Sequence, residues 1–196
     1  MNLIARLSER SWEPASDRLA PSRRPSAGAV GLTLYAVVMA VMFSLLAAAY
    51  VMRMGLHAAM GHADDWAAMP DPPLLWINSA VLVMSSIAWE MARRAAIRGP
   101  ASMASLAGGV LGLCFLGGQW MLWRHYQAAG YYLATNPANA FFYLLTALHG
   151  LHIIGGLGVA GWVLASRNPD QVRLCALYWH LLLLIWILIA VLLLLT

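Results

Sequence analysis

Charged side chains are so sparse along this chain that the intervals between them set its organisation. Arg24 to Arg53, Asp71 to Glu90, Arg98 to Arg124, Arg124 to Arg167 and Arg173 to Thr196 each bracket a run without a single charge. Every run can hold the roughly 20 apolar residues that one helix needs to cross a bilayer. A closed β-barrel is the other way to satisfy a backbone in lipid, and nothing here alternates with period two. The pattern predicts an all-α, polytopic membrane protein, a bundle of five transmembrane helices at about 27–52, 73–92, 102–123, 138–165 and 174–195. Residues 1–26 mix Arg, Ser, Pro and Glu without an apolar core or a cleavage site, and read as a partly disordered segment rather than a secretory signal. Residues 27–196 are the membrane domain. Asp71-Pro72-Pro73 and Asn136-Pro137 each place a capping side chain before proline, a helix-start signature. Asn168-Pro169-Asp170 predicts a tight turn between the last two helices.

Composition agrees: 62% of residues are hydrophobic and 10% charged, which excludes a soluble domain. All twelve basic residues are arginine. Ten of them fall on one side of the five-helix arrangement, leaving Arg53 and Arg124 on the other. Basic excess marks the cytoplasmic side, so the amino terminus is expected in the cytoplasm and the carboxyl terminus outside. The expected location is the bacterial inner (plasma) membrane. The net charge of +4 is then a matter of topology, and no nucleic-acid partner is expected. Cys114 and Cys175 differ in depth by more than ~10 Å, too far for a disulfide.

Small residues mark candidate packing faces: Gly108 and Gly112 as GxxxG, and Gly155, Gly158 and Gly161 at spacing three. Trp66, Trp76, Trp120, Trp123, Tyr126, Tyr131 and Tyr132 gather at the outer boundary as an aromatic belt would.

Polar residues inside the runs are the candidates for chemistry. His149-Gly150-Leu151-His152 and Tyr178-Trp179-His180 lie in hydrocarbon-length stretches. His149 and His152 share one helical face, and two imidazoles on a face can ligate metal or haem. Depth argues against His180 as a third ligand. It lies ~9 Å into its helix and His152 ~14–20 Å into its own, whereas metal bonds are near ~2 Å. The expectation is inward-facing imidazoles, hydrogen-bonded to carbonyls, hydroxyls or a partner chain. Glu90 is the one carboxylate within an apolar run, with Arg93 and Arg94 at the favourable i+3 and i+4 positions. It reads as a snorkelling ion pair, with a proton-collecting or lipid-headgroup site as the functional alternative. Asn78, Ser85, Ser86 and Gln119 are expected to be interhelical hydrogen-bond partners worth ~0.6 kcal/mol each. No nucleophile elbow, phosphate loop or CxxC occurs.

A set of these residues resembles subunit III of the haem-copper oxidases, the cytochrome c oxidase family of respiratory terminal oxidases. It runs from Val41-Met42-Phe43, Ala49-Tyr50 and Arg53 through Asn78, Ser85-Ser86 and Gln119. It continues with Phe141-Phe142, Leu145-Thr146, the HGLH of 149–152, Gly155-Gly156, the YWH of 178–180 and Trp186. The resemblance spans about 32–195 and implies a five-helix form lacking the first two helices of the seven-helix members. It also implies a non-redox subunit with no cofactor of its own, haem and copper being held in partner subunits. The implied partners are the catalytic oxidase subunit I, subunit II and membrane phospholipids. Three membrane-embedded acids of the family pattern fall at Ala40, Leu122 and Leu183, so no role of those acids carries over. Two other readings stand beside this one: an accessory protein of a nitric oxide reductase, and a haem-binding membrane anchor.

Overall fold

The computed structural model describes residues 26–60, 66, 70, 73–96, 103–166 and 168–194. They form five helices: α1 (Ala27–Met60), α2 (Pro73–Ala95), α3 (Met103–Ala128), α4 (Pro137–Ser166) and α5 (Pro169–Leu194). Each is long and apolar enough to cross a membrane. The amino-terminal segment, the Asp71-Pro72 cap and the arginines Arg98 and Arg167 lie outside the described residues.

The helices run past the limits set by hydrophobicity, because a backbone stays helical beyond the hydrocarbon edge until a cap or a breaker stops it. Ser26 accepts the amide of Ala29 at 3.2 Å and opens α1. Asn136 accepts the amide of Ala138 at 2.9 Å and opens α4. The expected turn at Asn168-Pro169-Asp170 is instead the start of α5. Asn168 Oδ1 accepts the Asp170 amide at 3.0 Å, Pro169 occupies the first helical position, and Asp170 sits in the first turn, where a carboxylate complements the helix dipole. At the other kind of terminus, Gly130 closes α3 at φ 89°, with Tyr131 N–H bonded to Tyr126 O at 3.0 Å and Gly130 N–H to Gln127 O at 3.1 Å. That six-to-one and five-to-two pairing needs a left-handed residue, and glycine adopts it without a Cβ clash.

Helices α2, α3, α4 and α5 pack around one core, with α2 against α3 the most extensive contact. α1 lies outside this group, against α5 and more lightly against α4. The core is aromatic: Trp89, Trp179, Trp186, Phe115, Phe43 and Tyr50 are all fully buried. Outward faces carry large apolar side chains such as Leu34 and Trp162, the polarity expected of helices whose solvent is lipid.

The two glycine motifs end in different places. A Cβ at Gly108 would stand 2.7 Å from the indole of Trp89, and one at Gly112 would stand 2.9 Å from Trp179. Those glycines make room for indoles, not only for a neighbouring backbone. The second motif is corrected: at Gly155, Gly158 and Gly161 an added Cβ meets nothing within 4 Å, and the helix packs through Gly156 against Tyr178 instead. Gly155 lines a cleft of about 530 Å³ with Gly28, Gly31 and Tyr35. Spacing along one helix cannot say which face its neighbours choose.

The aromatic belt is corrected in part. Trp76, Trp120 and Tyr132 are exposed. Trp123 and Tyr126 turn inward, Trp123 Nε1–H donating to Thr146 Oγ1 at 3.1 Å and Tyr126 O–H to Pro70 O at 2.8 Å. Both rings bury their apolar bodies because the polar tip of each finds a partner there.

Candidate functional site

Two serines on α2 organise the interior. Ser85 Oγ–H donates to Gly108 O at 2.7 Å and accepts from Trp179 Nε1–H at 2.6 Å, tying α2, α3 and α5 through one hydroxyl. Ser86, one residue on, faces His180 with Oγ 2.6 Å from Nδ1. The other ring nitrogen of His180 lies 3.5 Å from Glu90 Oε2. Glu90 is in turn held by Arg93, whose Nε and guanidinium nitrogen donate to the two carboxylate oxygens at 2.7 Å each, and by Arg94 Nε at 2.8 Å. A carboxylate gripped in a bidentate fork by one arginine and touched by a second is fixed in direction.

The result is a polar line from the membrane edge inward. Arg94 is 75% exposed, Glu90 23%, and Ser86 is buried. The half-exposed imidazole of His180 thus bridges a carboxylate and a buried hydroxyl, with a polar partner at each ring nitrogen. The i+3 and i+4 arginines of Glu90 are legible in the sequence; His180, ninety positions away, is not.

His149 and His152 do not join that line. His152 turns its Nδ1 to Leu148 O at 2.6 Å and lies against the rings of Phe43 (5.6 Å) and Tyr35 (6.1 Å) on α1. Its own carbonyl accepts the Tyr178 hydroxyl at 2.8 Å. His180 therefore faces α2 while His152 faces α1, so the two motifs diverge rather than converge on a ligand. His149 corrects a second expectation. It is fully buried, but neither ring nitrogen has a hydrogen-bond partner. It sits among Trp186 (5.2 Å), Phe115 (5.8 Å) and Phe43 (6.4 Å), an aromatic cage without a carbonyl or hydroxyl in reach. Among the described residues no group of three or more His, Cys, Asp or Glu could hold a metal ion.

The remaining polar candidates pair across helices. Asn78 Nδ2–H donates to Gln119 Oε1 at 3.4 Å, leaving Gln119 Nε2 without a partner. Asn78 Oδ1 occupies the space that a Cβ on Gly118 would take, so that glycine admits the amide. Missed in the sequence was Ser79, which accepts from Trp186 Nε1–H at 2.9 Å while donating to Leu75 O at 2.8 Å. Of the three positions where the family pattern has acids, Leu122 is fully buried and Leu183 packs against the core. Among the described residues the carboxylates are Glu90 and Asp170, both at the same end of the bundle.

Comparison with known proteins places this arrangement. No protein-family model matches the chain. Cytochrome c oxidase subunit 3 of Thermostichus vulcanus is 30% identical over 185 residues, covering 86% of this chain and 87% of that protein. Cytochrome bo(3) ubiquinol oxidase subunit 3 of Pseudomonas aeruginosa is 26% identical over 168 residues, 80% of this chain and 79% of its own. Cytochrome c oxidase subunit 3 of a Synechocystis strain is 33% identical over 129 residues, 59% of this chain and 54% of its own. With five apolar helices and similarity along nearly its whole length, the chain is a multi-pass membrane protein and belongs to the subunit III family of the haem-copper oxidases.

Proposed function

We propose that this chain is the non-redox subunit of a haem-copper respiratory terminal oxidase, seated beside the catalytic subunit I, with subunit II in the same complex. The observation that carries this reading is the near-full-length similarity to oxidase subunits 3. Haem and copper then belong to the partner subunits. The chain contributes a rigid aromatic bundle whose outer faces are free for lipid and for the partner.

We further infer that the Glu90 end faces the bacterial cytoplasm, with the amino terminus on that side and the carboxyl terminus across the inner membrane. The arginine distribution supports this orientation. In that orientation Glu90, Arg93, Arg94 and His180 lie at the rim where protons enter an oxidase. Their influence reaches a Debye length, ~8 Å at physiological salt, so it acts on a partner's proton inlet only if that inlet is adjacent. With Ala40, Leu122 and Leu183 at these positions, the only described carboxylates are Glu90 and Asp170, and any such contribution would act from the rim.

The test is purification from native membranes with the partners identified by mass, followed by oxidase turnover with and without the subunit. Co-purification with oxidase subunits I and II is expected, as is a loss of turnover that grows from about pH 6 to about pH 9, where protons become scarce. Nitric oxide reductase partners would overturn the oxidase assignment. Identical pH profiles with and without the subunit, or with Glu90→Gln, would remove the rim's part in proton supply and leave the scaffold.

A further inference from the structure

Three helices, α1, α4 and α5, enclose the cleft of about 530 Å³ that Gly155 lines. Gly28 is the second residue of α1 and Gln171 the third of α5, so the cleft opens at the Glu90 end of the bundle. It follows α1 from Gly28 to Tyr35 and α5 from Gln171 to Tyr178, ~10 Å of depth along each helix. Its width comes from missing side chains. A Cβ on Gly31 of α1 or on Gly155 of α4 would meet nothing within 4 Å. Aromatic rings supply much of the remaining wall: Tyr35, Trp162 and Tyr178.

Charge decides what such a space can take. None of the residues lining it is charged. A phosphate or carboxylate headgroup would find no cation among them, and an unpaired charge is costly to bury. The polar groups on the wall are neutral donors. Gln171 Oε1 accepts the Ser166 hydroxyl, which leaves the amide Nε2–H to donate. Tyr178 is already committed, its hydroxyl donating to His152 O at 2.8 Å. Tyr35 stands one turn beyond Gly31, and a helical side chain leans back over the turn before it. Its hydroxyl therefore overhangs the space that Gly31 leaves. The complement of this wall is a neutral, flat ring with hydrogen-bond acceptors at opposed edges, continuing into an apolar tail.

We propose that the cleft binds a prenylated quinone. The ring lies over Gly31 and against Trp162, one carbonyl oxygen accepting from Gln171 Nε2–H and the other from Tyr35 O–H. The first isoprene units run inward past Gly155. The proposal rests on the chain being a membrane protein and not on its place in an oxidase, so its failure would leave that reading untouched.

The experiment titrates the whole chain in detergent with a benzoquinone carrying two isoprene units and counts bound quinone by native mass spectrometry. One quinone per chain is expected. Gly31→Leu fills the ring's place without touching a neighbour and should weaken binding at least tenfold. Gly158→Leu, whose Cβ also meets nothing within 4 Å but which lies outside the cleft, should leave it unchanged. Gln171→Leu and Tyr35→Phe should each weaken it about fivefold, the worth of one neutral hydrogen bond. Equal affinity in wild type and Gly31→Leu, or an equal loss in Gly158→Leu, would overturn the proposal. Displacement by geraniol, which has the tail without the ring, as effective as by the quinone would overturn the ring assignment. Equally effective displacement by phosphatidylglycerol would overturn the argument from the uncharged wall.

Discussion

Gly108→Ala tests the packing of the core most directly. The added Cβ would lie 2.7 Å from both Cδ1 and Nε1 of Trp89, where carbon atoms in contact normally stand ~3.5–4.0 Å apart. One group must therefore move by ~1 Å. Trp89 has little room to do so: it is fully buried and its ring lies 5.2 Å from that of Trp179, which itself fills the notch at Gly112. Spreading α2 from α3 would instead stretch the Ser85 Oγ–H to Gly108 O bond, now 2.7 Å. Overpacking of this kind costs ~1–3 kcal/mol, and exchanging glycine for alanine within a helix returns up to ~1 kcal/mol. A net loss of ~1–2 kcal/mol lowers the folded-to-unfolded ratio ~5–30-fold. Gly109→Ala is the control, because its Cβ meets nothing within 4 Å and it gains the propensity without the clash. Denaturant unfolding of the detergent-solubilised chain, followed by tryptophan fluorescence, reads both. Gly108→Ala as stable as Gly109→Ala would refute the reasoning.

Three further outcomes follow from the hydrogen bonds. Ser85→Ala leaves the buried Trp179 Nε1–H unpartnered and should cost ~1–3 kcal/mol in the same unfolding assay; a value near zero would mean that the indole finds another acceptor. His149→Leu removes two ring nitrogens that already lack partners and should leave stability within ~1 kcal/mol of wild type, so a loss well beyond that would reveal an uncounted partner. Asn168→Ala deletes the cap of α5 and should cost ~1 kcal/mol, read as faster amide exchange confined to the first turn of that helix; uniform exchange along α5 would contradict it.

The membrane architecture was legible in the linear sequence because it depends on local quantities. A run of uncharged residues long enough to span hydrocarbon has few alternatives to a helix once water is absent. The Glu90 grip by Arg93 and Arg94 was legible for the same reason, since helix geometry alone brings i+3 and i+4 neighbours together. The family resemblance rested likewise on residue order and spacing.

Tertiary structure decided which face each helix turns inward, and with it the roles of individual polar groups. Ser85 with Trp179, and Ser86 with His180, are pairs 94 positions apart. No periodicity within one helix selects such partners. His149 illustrates the limit: spacing put it on the same helical face as His152, but the packing of Trp186, Phe115 and Phe43 around it left its nitrogens without acceptors. The glycines of α4 illustrate it too, with Gly156 taking the ring of Tyr178 while Gly155, Gly158 and Gly161 stayed outside the packed interface. In a bundle whose inner and outer faces are both apolar, hydrophobicity carries no information about rotation, because lipid and protein interior favour the same side chains. Only the fit of indoles into notches and of hydroxyls onto their partners fixes it.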